Sequence, residues 1–190
     1  MNVNPADARA IVLVEGLSDR NTVEALAERL GRDLAAEGVV VVPIGGAQAI
    51  GRSLDRYGPR GLDLRLAGLV DAGEEREFRR ALERAGLGSV PGRRELEALG
   101  FFVCDADLED ELIRALGPDR VEHIVEANGD LRPLRTLQKQ PEWRGRPPAE
   151  QLRRFLGSGG SRKIRYARLL VEALELERMP RPLDLVLRHV

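Results

Sequence analysis

The chain has 190 residues, 43% of them hydrophobic, and a formal charge of -1, which is apolar material for one well-filled core and not for two full domains. A single cysteine, Cys104, excludes a disulfide framework, and residues 1–9 do not read as a basic-then-apolar leader. The longest apolar runs, residues 10–14 and 39–42, fall far short of the roughly 20 residues that a membrane helix needs, so the expectation is a cytoplasmic chain without membrane association.

Taken in order, residues 10–15 read as a first strand, followed by a helix with apolar positions Val23, Leu26, Ala27, Leu30 and Leu34 that Gly38 ends. Residues 39–43 form an uninterrupted apolar strand of the kind buried on both faces, running through Gly45 and Gly46 into a short helix that ends near Tyr57 and Gly58. Residues 64–70 are the third strand. A charged helix over residues 74–85 turns Phe78, Ala81, Leu82 and Ala85 inward, residues 100–104 are the fourth strand, and residues 109–116 return to helix. Short β-branched runs alternating with amphipathic stretches predict a mainly parallel four-stranded α/β sheet flanked by helices.

Beyond Gly117 the period-two pattern disappears, and residues 121–126, 149–156 and 164–177 read as helices. The expected organisation is therefore an α/β core over residues 1–117 with an α-helical extension over residues 118–190 packed on it. A proline-bearing polar stretch, residues 140–148, is the segment expected to be a mobile loop. The sequence contains neither an internal repeat nor a low-complexity tract.

Charge is distributed unevenly. Residues 1–130 carry 16 basic and 25 acidic residues, whereas residues 131–168 carry 11 basic residues against only Glu142 and Glu150. An acidic front and a basic back suit a protein that gathers cations at one place and a polyanion beside it, although an arginine-rich solvated helix surface is the plainer explanation of the second half.

Three of the four predicted strands end in acid: Glu15 after the first, Asp71 after the third, and Asp105 after the fourth, with Asp107 and Glu109 just beyond. In a parallel sheet these ends lie on one edge, where open α/β sheets bind ligands. Taken singly, such an acid is more often a loop residue or a helix cap, and Asp107 fits the cap role; three at one edge point to a shared purpose. Carboxylates packed together raise each other's pKa unless a cation lies among them, and an all-oxygen set suits Mg²⁺ or Mn²⁺. His123 and His189 are isolated and Cys104 has no partner, so the spacing supplies no zinc site.

The run LVEGLSD at residues 13–19 resembles the opening motif of TOPRIM domains, in which a Glu ends the first strand. VPIGG at residues 42–46 resembles the second-strand glycine turn, GLVD at residues 68–71 the start of the Asp-x-Asp motif, and DLEDE at residues 107–111 the acidic segment of the overcoming-lysogenization-defect (OLD) nuclease branch. The resemblance spans residues 10–116 and implies a TOPRIM, Rossmann-like fold and a divalent-metal-dependent nuclease or related phosphoryl-transfer enzyme acting on nucleic acid; DNA is expected ahead of RNA as the partner, though the sequence does not decide between them. It implies that Glu15 and Asp71 share the principal metal, and that Asp107 and Glu109 place a second metal or its water. A C-terminal lysine near a helix start assists cleavage in that branch, and Lys163 occupies a similar place, which makes Glu15, Asp71 and Lys163 the candidate catalytic residues. One departure stands out: where the family has the second Asp of Asp-x-Asp, this chain has Gly73. The alternative is therefore a catalytically weakened module that binds metal and nucleic acid, or a partner ATPase, as a regulatory subunit.

Gly157 to Ile164 superficially resembles a P-loop but has Arg162 for the second Gly and Ile164 for Ser or Thr, and no strand precedes it. Gly45 and Gly46 read as a plain strand-to-helix turn before a phosphate cradle. In the basic segment, Arg132, Arg135, Lys139, Arg144, Arg146, Arg162 and Arg165 are the candidate nucleic-acid contacts, with Trp143 either stacking on a base or anchoring its loop. A receiver-like domain with Asp71 as phosphoacceptor ranks last, because Glu15 and Gly16 poorly match the acidic pair it needs. A homodimer remains open.

Overall fold

The computed structural model describes residues 5–190. Four strands, β1 (Ala10–Val14), β2 (Val39–Pro43), β3 (Arg65–Asp71) and β4 (Phe101–Cys104), pair in parallel in the order β2-β1-β3-β4. All five residues of β1 are buried, as expected of a strand with neighbours on both sides and helices on both faces. The fold is the four-stranded parallel α/β sheet with flanking helices that the sequence predicted.

Alternation within the strands sorts the core into two layers. On one face, Ala10, Val12, Val14, Val39, Val41, Leu69, Phe102 and Cys104 pack with α1 (Leu17–Arg29), α5 (Leu108–Leu116) and most of the C-terminal helices. On the other face, Ile11, Leu13, Leu66, Val70, Phe101 and Val103 pack with α2 (Ile50–Tyr57), α3 (Glu75–Arg84) and α4 (Arg93–Ala98). Gly68 makes the central pairing possible: a Cβ there would lie 2.8 Å from the Leu13 carbonyl oxygen and 2.8 Å from the Phe101 ring.

The C-terminal helices are α6 (Pro118–Ala127), α7 (Leu131–Gln138), α8 (Pro148–Gly157), α9 (Gly160–Ala173) and α10 (Arg181–His189). Val121, Leu134, Phe155, Tyr166, Leu170 and Leu183 belong to the same apolar cluster as β1 and β2. Arg29 of α1 donates to the carbonyls of Val171 and Leu174 at 2.5 and 2.6 Å, and so satisfies acceptors that the end of α9 leaves open. Three helices were not anticipated: α4, α7 and α10. The first helix also ends sooner than the apolar pattern suggested, with Leu30 as its C-cap and turns leading to Gly38.

Candidate metal centre

Strand order reverses between β1 and β3, because the chain steps from β1 to β2 on one side and then crosses back to β3 on the other. Crevices form at such switch points, outside the carboxyl ends of the strands. Glu15 directly follows β1 and Asp71 is the last residue of β3, so both carboxylates stand at this crevice on adjacent strands.

The turn after β2 completes the floor. Gly45 and Gly46 have φ of +77° and +101°, and both donate their N–H to the Glu15 carbonyl, at 3.0 and 3.3 Å. These amides hold the backbone of Glu15 in place and are spent on it, which is the strand-to-helix turn and not a phosphate cradle.

Asp71 carries the clearest electrostatic signature. Burial and the nearby charges of Glu15, Asp107 and Asp19 push its pKa up to about 8. The Glu15 carboxylate lies within hydrogen-bonding reach of it. Glu74, at the end of the 3-10 turn Ala72–Glu74, is also raised, by burial and by Glu15.

Asp19 is a member of the cluster that sequence reasoning did not select, although it lies within the LVEGLSD run. It is 6% exposed, accepts from the Gly16 N–H at 2.9 Å, and is bonded by the Ser18 hydroxyl at 3.1 Å. Burial raises its pKa, while Lys163 and these two donors oppose the rise. The available signal was its position in the first turn of α1, where a helix dipole favours a carboxylate.

Asp107 and Glu109 enter from the start of α5. Asp107 caps the helix, one oxygen accepting from the Asp110 N–H at 2.8 Å and the other from Arg153 at 2.7 Å. Glu109 is pushed up to about 7 by burial, against the attraction of Lys163, whose Nζ lies 3.3 Å from its carboxylate. Lys163 sits in the first turn of α9; burial works to lower its pKa, but Glu109, Asp19 and Glu15 together raise it. Asp105 turns away, 63% exposed, between Arg93 and Arg114.

The crevice thus joins Glu15, Asp19, Asp71 and Asp107, with Glu109 and Lys163 as an ion pair on its flank. Among the described residues, no three His, Cys, Asp or Glu side chains form a ready-made cage for a metal ion. The donor set nevertheless fits a hard divalent cation: it is all oxygen, and burial together with repulsion among its acids raises the pKa of Asp71. Residues Glu15 and Asp71 would hold such an ion.

The basic segment is divided. Arg135 is bound by both oxygens of Glu122, at 2.6 and 2.9 Å, Arg162 and Arg165 face Asp130, and Arg146 pairs with Glu150 at 3.4 Å. Arg132, Lys139 and Arg144 are exposed and have no carboxylate partner among the described residues. The half-buried Trp143 has Arg146 and Arg154 over its ring at 5.1 and 6.0 Å, and its carbonyl accepts from Gln151 at 2.8 Å, which ties residues 140–148 to α8.

This parallel sheet, with acids gathered at its switch point, has the arrangement expected of a TOPRIM fold. Residues 8–72 match the family model described as overcoming lysogenization defect protein-like, TOPRIM domain, so the chain is, over this part, similar to a domain class associated with metal-binding and nucleic-acid chemistry. Its structure is similar to the C-terminal region of the Xanthomonas campestris pv. campestris OLD protein, with a TM-score of 0.75 and 26% identity, over 96% of this chain and 92% of that one. It is also similar in fold to the C-terminal region of the Burkholderia pseudomallei OLD protein, with a TM-score of 0.71 and 23% identity over 96% of each chain. No curated protein sequence matches it. Glu15, Asp19 and Asp71 lie within the matched residues, whereas Asp107, Glu109 and Lys163 lie beyond them.

Proposed function

We propose that the chain is a divalent-metal-dependent nuclease, or a closely related phosphoryl-transfer enzyme, acting on nucleic acid in the cytoplasm, with residues 1–117 as its TOPRIM core and residues 118–190 as the helical extension. The observation that carries this reading is the placement of Glu15 and Asp71 side by side at the carboxyl ends of adjacent strands, in a crevice where burial, Glu15 and Asp107 push the Asp71 pKa up to about 8. Ionising such a carboxyl is costly unless a cation takes the place of its proton.

Glu15 and Asp71 bind Mg²⁺ or Mn²⁺, and Asp107 and Glu109 place a second ion or its water. Bound there, the ion supplies polarisation of a phosphoryl oxygen and a water made more acidic. Lys163 stabilises negative charge developing on the phosphoryl oxygens, as a fixed donor aimed at the reacting group does. Asp19 adds electrostatic attraction that keeps Lys163 charged, and Arg153 fixes Asp107. Arg132, Lys139 and Arg144, with Arg135, Arg146, Arg162 and Arg165 behind them, follow the backbone of a DNA strand. A partner ATPase and a homodimer are compatible with this reading.

A second reading is favoured by Gly73 and by the absence of a three-carboxylate cage among the described residues: a module that binds metal and nucleic acid, or a partner ATPase, with weak or no turnover. Calorimetric titration with Mn²⁺ beside a DNA cleavage assay separates the two. Metal-dependent cleavage that disappears in Glu15→Ala supports the enzyme. Metal binding without cleavage supports the module, and cleavage undiminished in Glu15→Ala sinks the site assignment altogether.

A further inference from the structure

The acids of the crevice fall into two sets that differ in their company. Glu15 and Asp71, at the ends of β1 and β3, form no ion pair with a basic residue among the described residues, and Asp71 is acted on by burial and then by other acids, Glu15, Asp107 and Asp19. Asp107 and Glu109, at the start of α5, each have a cation of their own. Arg153 Nε donates to Asp107 at 2.7 Å, and Lys163 Nζ lies 3.3 Å from the Glu109 carboxylate. Both cations come from the helical extension. Arg153 is carried by α8, whose Leu152, Phe155 and Leu156 are buried, and Lys163 by the first turn of α9, so packed helices deliver both.

Neither acid of the second set is free to take an ion. The Asp107 oxygen that Arg153 does not use accepts from the Asp110 N–H at 2.8 Å, as the cap of α5. Turning Asp107 toward an ion would cost both bonds and leave that helix end uncapped. Glu109 is the more buried member of its pair, with 12% of its side chain exposed against 30% for Lys163, and a buried carboxylate that loses its partner is left uncompensated. An ion seated on the same oxygens, at the roughly 2.1 Å of Mg²⁺ coordination, could be no farther than about 5.5 Å from either side-chain cation, where like charges repel strongly. The turn after β3 supplies no substitute ligand. Gly73 stands there, and the space around it is open, with nothing within 4 Å of where a Cβ would be.

We infer that the crevice takes one divalent ion, on Glu15 and Asp71, and that Arg153 and Lys163 stand where a second would have to bind. The inference rests on the reading of Glu15 and Asp71 as metal ligands and narrows it. Asp107 and Glu109 are left to hold water, and the positive charge that a second ion would bring near a phosphoryl group is built into the chain. Arg153 is a positioning residue in this arrangement, since the group it touches is Asp107.

The test titrates metal-free full chain with Mn²⁺ by calorimetry and records the electron paramagnetic resonance of the complex. The parent should bind one ion per chain, give the spectrum of an isolated Mn²⁺, and lose that ion in Asp71→Asn. Gly73→Asp should still bind one. Combining Gly73→Asp with Arg153→Gln, which supplies the missing carboxylate and frees Asp107, should raise the count to two magnetically coupled ions; Arg153→Lys in the same background should return it to one. Arg153 is 44% exposed, so its replacement does not threaten folding. Two coupled ions in the parent, or in Gly73→Asp alone, overturn the inference while leaving Glu15 and Asp71 as ligands, and so does a single ion in the combined variant. An ion that survives Asp71→Asn and is lost in Asp107→Asn overturns the assignment of Glu15 and Asp71 together with the inference. A parent that binds no Mn²⁺ overturns both as well.

Discussion

The Lys163 ammonium lies 3.3 Å from the Glu109 carboxylate, joining the first turn of α9 to the first turn of α5 across the flank of the acidic crevice. Both groups are substantially buried, and Lys163 is also felt by Asp19 and Glu15. One cation therefore offsets several acids contributed by two separate segments of the chain. Removing it leaves Glu109 buried with its charge uncompensated, the situation in which breaking an ion pair is costly.

Lys163→Met should therefore destabilise the metal-free protein in a pH-dependent way. The folded-state pKa of Glu109 is already raised to about 7 despite Lys163, and without the lysine it rises further. An acid with a raised folded pKa contributes stability that is complete below its unfolded pKa and is lost as pH rises through the folded value. The melting temperature of Lys163→Met should fall well below the parent's at pH 8.5 and only slightly below it at pH 5.5. Adding Glu109→Gln should restore most of the loss. Equal losses at both pH values would show that the pair is not electrostatic in effect. In the cleavage assay the same variant should lose about a hundredfold in rate, as when one fixed donor is removed from a developing charge.

Asp71→Asn tests the site from the other side. With its pKa raised to about 8 by burial, Glu15 and Asp107, Asp71 favours folding while protonated and opposes it progressively as pH rises from its usual 3.8 through 8. The metal-free Asn variant should melt higher than the parent at pH 8.5 and close to it at pH 5. Because a cation must displace that proton, stabilisation of the parent by Mn²⁺ should grow over the same interval and be absent in the variant. A Mn²⁺ shift that persists in Asp71→Asn places the ion elsewhere.

Gly73 is where this chain departs from the Asp-x-Asp pattern, and the geometry there is permissive. It lacks a positive φ, and a Cβ would meet nothing within 4 Å. Gly73→Asp should fold normally and add a carboxylate beside Asp71, tightening Mn²⁺ binding about tenfold, the effect of one further charged ligand worth roughly 1.4 kcal/mol. Unchanged calorimetric affinity would falsify the idea that a ligand is missing at this turn.

The strands and, α4 apart, the helices between them were legible because their signals are local: unbroken apolar runs, a 3.6-residue period and glycines at the breaks. Glu15 and Asp71 were legible for the same reason, since a strand end is visible in sequence and parallel topology carries both to one edge. Asp19 was hidden by its ordinary place in a helix, where only the fold reveals that it is buried beside Lys163. The six-residue α4 carries too few turns for a period to show, and α10 is held by contacts with distant residues, such as the Arg181 pair with Glu97. The individual arginines were least legible of all, because whether a guanidinium is free depends on a carboxylate elsewhere: Glu122 for Arg135, Asp130 for Arg165.

That division of the basic segment makes a prediction about DNA. Arg132, Lys139 and Arg144 are exposed and uncommitted, whereas Arg135 is held by Glu122. Each phosphate contact releases counterions and contributes about 0.7 to 0.9 to the slope of log affinity against log salt. Replacing Arg132, Lys139 and Arg144 together by alanine should weaken DNA binding and flatten that slope by about 2 to 3, without changing the melting temperature. Arg135→Ala should leave the slope where it is, since the guanidinium already has its anion, and cost a fraction of a kcal/mol in stability, about the worth of an exposed pair. Fluorescence anisotropy across a salt series measures both. If Arg135→Ala flattens the slope and the triple variant does not, the strand runs along the other side of α7, and the pairing seen with Glu122 is one that DNA displaces.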